Sequence, residues 1–234
     1  HPDRGWIAPN IFIPLAENSG LIAPITRFVL DRACADCVNL PAPIAVSVNL
    51  SIHDLRDGDI VDEVGAALAR HGLPPTRLHL EVTESCFMDE PKAVSAKLNQ
   101  LRATGVTIAI DDFGTGFSSL SYLDSLPVDI VKIDRAFVRD IGTEPRRRKL
   151  LSGIVRLSRE LDLKIVIEGV ETLEQLDLVN KHHFADLVQG YIFSPPLPAD
   201  ALMTMHQKAM SRGRLDPFSP SGKGRDPRAF SATG

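Results

Sequence analysis

Short β-branched runs alternate with helix-period segments along this 234-residue chain, and that alternation constrains the fold more than any single motif. Ile44–Leu50, Leu78–Thr83, Val106–Asp111, Ile130–Asp134, Lys164–Glu168 and Ala185–Gln189 read as strands. Helical periodicity separates them. Ile60–Arg70 stops at His71-Gly72 and Pro74-Pro75, Pro91–Thr104 stops at Gly105, and Ser118–Ser125 reads as a short helix. Thr143 reads as an N-cap, with Pro145 in the first turn of a helix running to Leu161, and Thr172–Asn180 is helical again. Residues 10–38 read helical, with a stripe through Ile22, Ile25, Phe28, Val29 and Ala33, and so does Ala199–Met210. Single helices between short strands mean βα units and a parallel sheet. Six such units fit a barrel better than an open sheet, although repetition alone leaves both topologies open.

A hydrophobic share of 44% and a charged share of 24% are ordinary for a globular domain with a sizeable core. The net charge of −4 leaves no basic surplus to offset a phosphate polymer, which argues against a nucleic-acid binder. Cys34, Cys37 and Cys86 lack disulfide-framework spacing, so a reducing, cytoplasmic setting is expected. Cys34-Ala-Asp-Cys37 has no second pair and reads as core thiols on a helix rather than a metal site. No apolar run reaches the length of a membrane span, and no signal peptide opens the chain. The residues from Ser211 onward are rich in Ser, Gly, Pro, Arg and Asp without periodicity. They are expected to form a disordered tail over 211–234, with 1–210 as the domain. His1-Pro2-Asp3-Arg4-Gly5 begins in loop chemistry without an initiator Met, and reads as part of something longer.

Polar groups gather at one end of every strand. In order these ends are Ser47-Val48-Asn49-Leu50-Ser51, Leu80-Glu81-Val82-Thr83-Glu84, Asp111-Asp112, Lys132-Ile133-Asp134, Glu168-Gly169-Val170-Glu171 and Gln189-Gly190-Tyr191. In barrels and open α/β sheets the C-terminal strand ends form the active-site face. Asp111-Asp112 is the most telling pair, because adjacent carboxylates repel and each loses hydration on burial. A divalent cation, or a pair, is the usual reason to tolerate them; a solvated strand exit is the competing reading. Amide and carboxylate oxygens are hard ligands suited to Mg²⁺ or Mn²⁺ rather than zinc. Gly114-Thr115-Gly116 is no Walker loop, since no Gly-Lys-Ser/Thr follows, and suits a mobile loop near phosphate groups. His79 reads as an interior histidine and His182-His183 as solvated.

Taken together, these motifs, at this order and spacing, resemble those of the EAL-domain family of cyclic di-GMP phosphodiesterases. The opening His1-Pro2, Gly5, Pro9, Phe12-Ile13-Pro14-Leu15-Ala16-Glu17 and Gly20-Leu21-Ile22 is similar too, so the likeness covers residues 1 to 206. It implies an α/β fold, a modified TIM (β/α)8 barrel, here lacking about the first two strands. It also implies two Mg²⁺ or Mn²⁺ ions. Asn49, Glu81 and Asp111 would bind the first, and Asp111, Asp112 and Glu168 the second. Lys132 would hold the attacking water or a phosphate oxygen, Gln189 would contact water or substrate, and Glu84 would anchor the loop after Asp112. Asp134, Gly190, Tyr191 and Ser194 would meet the substrate. The implied reaction is hydrolysis of cyclic di-GMP to linear pGpG by a metal-activated water. A homodimer and an upstream sensor or GGDEF-type domain are the expected partners.

The sequence departs from the family pattern in places. Ser194-Pro195-Pro196 stands where Ser-Arg-Pro is usual, and Phe117 where tyrosine is commoner. The namesake Glu-Ala-Leu would lie upstream of His1, so the sequence as given lacks its glutamate ligand and is expected to be impaired. Two other functions compete. A non-catalytic cyclic di-GMP receptor or protein-interaction module would have lost metal ligands, whereas every ligand position within this sequence is retained. A Schiff-base aldolase with Lys132 as nucleophile would need a depressed lysine pKa, which the surrounding acids oppose.

Overall fold

The computed structural model describes residues 3–5, 7–88, 90–114, 124 and 126–211. Two helices, α1 (Pro9–Asn18) and α2 (Ile22–Cys37), lead into β1 (Val46–Leu50). Then come α3 (Ile52–Asp57), α4 (Ile60–His71), β2 (Leu78–Thr83), α5 (Pro91–Ala103) and β3 (Thr107–Phe113). The chain continues through β4 (Ile130–Ile133), α6 (Pro145–Glu160), β5 (Lys164–Ile167), α7 (Leu173–Lys181), β6 (Leu187–Val188) and α8 (Ala199–Ser211). The six strands form one sheet in chain order, every neighbouring pair parallel. The result is a half-barrel with helices packed outside, the α/β architecture of a modified TIM barrel.

Period two sorts the strand side chains. Val48, Leu50, Leu80, Val82, Ile108, Ile110, Val131, Ile133, Ile165 and Ile167 join one core cluster with Val64, Leu98, Leu101 and Leu151 from the helices. Each such side chain, fully buried, contributes about 1.5–3 kcal/mol. The opposite faces carry Ser47, Asn49, His79, Glu81 and Lys132, with Ala109, Ile130 and Val166 forming a small apolar floor. The polar residues therefore occupy the concave side and the apolar ones the helix side.

Three local details differ from the sequence-based expectation. The helical stretch 10–38 breaks after Asn18: Gly20 takes φ 70, and its N–H and that of Leu21 return to the Glu17 and Ala16 carbonyls. Glu144, not Thr143, occupies the N-cap of α6, although Pro145 opens the helix as expected. The short α3 is the third difference. Ser51 and Asp54 start it with a reciprocal capping box, which periodicity over six residues cannot reveal. The expected helix Ser118–Ser125 and the expected tail fall largely outside the described residues. Cys34, Cys37 and Cys86 are free and buried. No described helix is long and apolar enough to cross a membrane.

Candidate metal centre and substrate cleft

β3 slips register against β4. Ile110 pairs with Val131, but Phe113 pairs with Ile133, so β3 spends one more residue than its neighbour across Asp111-Asp112. Asp112 absorbs the bulge with φ 53, a left-handed conformation that aspartate tolerates better than most residues. In a regular strand adjacent side chains face opposite sides. The bulge instead lets Asp111 and Asp112, together with Glu168 past the end of β5, offer oxygens that all lie within 4.8 Å of one another. Three carboxylates so disposed fit a hard divalent cation. Glu81 sits opposite Asn49 in the β1–β2 register, which brings an amide and a carboxylate to the same level of the rim.

Lys132 is the hub. Its Nζ lies 2.6 Å from Glu81 Oε2, 2.7 Å from Glu168 Oε1 and 2.9 Å from Asp111 Oδ1, and the residue is only 5% exposed. Burial by itself disfavours the charge. The attraction of Glu81 and the hydrogen bonds to Glu168 and Glu81 outweigh it, so its pKa lies above the ordinary lysine value. Three carboxylates thus favour the charged form of Lys132. Burial pushes the Glu168 carboxyl up against the lowering effect of Lys132, and burial with the neighbouring Asp111 pushes Asp112 up. His79 lies below, beside a cavity of about 230 Å³ that Ser47, Glu81, Lys132 and Gln189 also line, and burial holds its pKa down.

Beside the acids opens a cleft of about 650 Å³. Asp134, Gly190, Tyr191 and Ser194, the expected substrate residues, all line it, and Gln189 reaches both the cleft and the inner cavity. Two glycines set its walls. Gly169, at φ 64, packs so closely that a Cβ would come 2.2 Å from Arg135 Cβ, and at Gly190 one would come 2.0 Å from the Val170 carbonyl oxygen. Asp134 Oδ1 accepts from the Ala136 N–H at 2.8 Å and so starts the turn Arg135–Phe137. Arg135, Glu171, Pro195 and Pro196 also line the cleft. Glu171 and the two prolines stand in motifs already named but without an assigned role, whereas Arg135 is marked only by following Asp134. Glu84 Oε2 is buried and no described residue donates to it, while the loop it is expected to anchor, Phe113 to Ser121, lies outside the described residues beyond Gly114.

A parallel half-barrel with an acid-rich C-terminal rim and an adjoining cleft defines a TIM-barrel-type domain equipped for divalent metals. The chain belongs to the EAL domain family, whose model matches residues 1–196. It is 43% identical over 206 residues to the cyclic di-GMP phosphodiesterase NbdA of Pseudomonas aeruginosa, covering 86% of this chain and 26% of that protein. It is 44% identical over 208 residues to the bifunctional diguanylate cyclase/cyclic di-GMP phosphodiesterase MucR of Pseudomonas aeruginosa, covering 87% of this chain and 30% of that one. The solved structure described as the PaMucR phosphodiesterase in complex with c-di-GMP superposes with a TM-score of 0.81 at 44% identity. That superposition covers 86% of this chain and 83% of the other. The chain spans 25–35% of the length of the curated relatives it matches.

Proposed function

We propose that this domain hydrolyses cyclic di-GMP to linear pGpG with the help of two divalent cations, Mg²⁺ or Mn²⁺. The observation that carries the reading is the convergence of Asp111, Asp112 and Glu168, with Lys132 bonded to Asp111 and Glu168 and Glu168 lining the cleft. Likeness to NbdA and MucR supports the substrate. When bound, the cations polarise a phosphoryl oxygen and generate a nucleophile from water at neutral pH.

The chain's own groups divide the remaining work. Asn49, Glu81 and Asp111 would hold one cation, and Asp111, Asp112 and Glu168 the other. Lys132 keeps a positive charge that the three acids lock in place, ready to donate to a phosphate oxygen or to the attacking water. Gln189, at the junction of cavity and cleft, would orient that water or the substrate. Asp134, Gly190, Tyr191 and Ser194 would position the dinucleotide, Tyr191 by stacking. Glu84 would anchor the loop after Asp112 through its unpartnered oxygen. Three buried cysteines without disulfide-framework spacing support a cytoplasmic setting, and the reading includes a homodimer, which sedimentation equilibrium tests.

The decisive experiment incubates purified protein with cyclic di-GMP and Mg²⁺ or Mn²⁺, with and without excess chelator, and separates the products chromatographically. Metal-dependent appearance of pGpG supports the reading. Tight cyclic di-GMP binding without turnover makes the domain a receptor instead, and neither binding nor turnover rejects both.

A further inference from the structure

Four residues, one of them directly past the rim end of β1, form one hydrogen-bonded line from the N-terminal helices to the strand that carries Asn49. Asp54 is a carboxylate only 3% exposed, and the chemistry of the rim does not account for it. Its Oδ2 accepts from Thr26 Oγ1 on α2 at 2.8 Å and from the Ser51 backbone N–H at 2.9 Å. Ser51 Oγ donates in turn to Glu17 Oε1 on α1 at 2.7 Å, and accepts from the His53 N–H at 3.3 Å. Burying a carboxylate is costly even when it is hydrogen-bonded, and well-packed apolar side chains in its place are often more stabilising. What the line provides instead is a tether that ties Ser51, the residue after β1, to α1 and α2.

Ser51 follows Asn49 by two residues, and Asn49 lies opposite Glu81 in the register. The chain is thus tethered two residues past Asn49, at the point where β1 leaves its pairing with β2. We propose that Glu17, Ser51, Asp54 and Thr26 act as positioning residues that hold Asn49 at the rim and couple its placement to the α1–α2 pair. A displacement of those helices would then change the oxygen set offered to a cation, a regulatory input that bypasses the substrate cleft. The inference rests on the phosphodiesterase reading only in giving Asn49 a metal to bind. The positioning itself belongs to the metal-free chain.

The test compares Glu17→Ala, Glu17→Gln and Ser51→Ala in the purified protein. Hydrogen–deuterium exchange across residues 49–54 is measured without metal, and Mn²⁺ affinity by calorimetry. Glu17 bonds to Ser51 and, among the described residues, to none of the proposed metal ligands, so a thermal melt serves as the folding control. Exchange across 49–54 is expected to rise several-fold in Glu17→Ala and Ser51→Ala, with Mn²⁺ affinity falling about 10-fold, the scale of a lost outer-shell partner. Glu17→Gln keeps an oxygen for Ser51 Oγ and is expected to match wild type in both readouts. Unchanged exchange in Glu17→Ala and Ser51→Ala overturns the positioning role. Equal loss in Glu17→Gln and Glu17→Ala overturns it too, because charge rather than the hydrogen bond would then be responsible. A wild-type protein that takes up no Mn²⁺ overturns the phosphodiesterase reading, while the exchange comparison still decides the positioning.

Discussion

Asp111 and Asp112 are neighbours in one strand, yet both offer an oxygen to the same cluster with Glu168, because β3 bulges between Ile110 and Phe113 and Asp112 turns to φ 53. The bulge converts a sequence doublet into a chelating pair. It also places Asp111 Oδ1 at 2.9 Å from Lys132 Nζ, so the metal-ready acids and the cation that restrains them share one node.

Removing that cation should leave three crowded carboxylates without their partner. Lys132→Met is expected to destabilise the metal-free protein by about 3–5 kcal/mol, as for other buried pairs broken on one side. At roughly 2–4 °C per kcal/mol for a domain of this size, the melt should fall by about 10 °C. Added Mn²⁺ should raise the melting temperature of the variant more than that of wild type. Thermal melts with and without Mn²⁺ read both effects, and a variant as stable as wild type would contradict the hub role.

Asp111→Asn and Glu81→Gln each keep size and shape but lose a charge. Outer-shell partners of a metal are worth roughly 10–100-fold, so a direct ligand should cost at least about 100-fold in metal-dependent turnover of cyclic di-GMP. Steady-state rates over a Mn²⁺ titration check this. Rates within a few-fold of wild type in either variant would remove that residue from the ligand set.

Protons should compete with metal here over an unusually high pH range. Burial raises both Glu168 and Asp112 above their ordinary values of 4.5 and 3.8. For a raised carboxyl, the stabilising contribution is fully present below the unfolded-state pKa and lost as pH rises through the folded one. Metal-free stability should therefore fall as pH climbs through those raised values, and metal binding, which needs the ionised forms, should weaken as pH drops through them. Calorimetric Mn²⁺ titrations in buffers of differing ionisation enthalpy should show proton release that grows as pH is lowered toward the carboxyl range. Binding free of proton release there would count against Glu168 and Asp112 as ligands.

Close packing fixes the cleft walls, so a single methyl should be felt at Gly169. Its φ of 64 and the 2.2 Å approach to Arg135 Cβ leave no room for a side chain. Gly169→Ala is expected to cost about 1–3 kcal/mol from the backbone conformation alone. Displacing Arg135 should raise KM for cyclic di-GMP more than it lowers kcat. Melting curves and steady-state kinetics measure the two parts, and an unaltered KM would detach Arg135 from the substrate wall.

The strand–helix alternation and the polar strand ends were legible without coordinates, because a parallel strand buried against helices must be apolar on that face. Lys132, Glu168, Gln189 and the paired aspartates could be named on the same ground, since a chain can place charges at successive strand ends only where they meet something. Chain periodicity could not show that Asp111 and Asp112 face the same way; period two predicts the opposite, and only the register of β3 against β4 forces the bulge. Nor could it show that Lys132 binds Glu81, Asp111 and Glu168 at once, or that Asp54 is buried with Thr26 and Ser51. Patterns of apolar and polar residues specify which face each side chain takes within its own element. Distances between elements depend on how strands align and twist past one another, which is a property of the packed sheet as a whole.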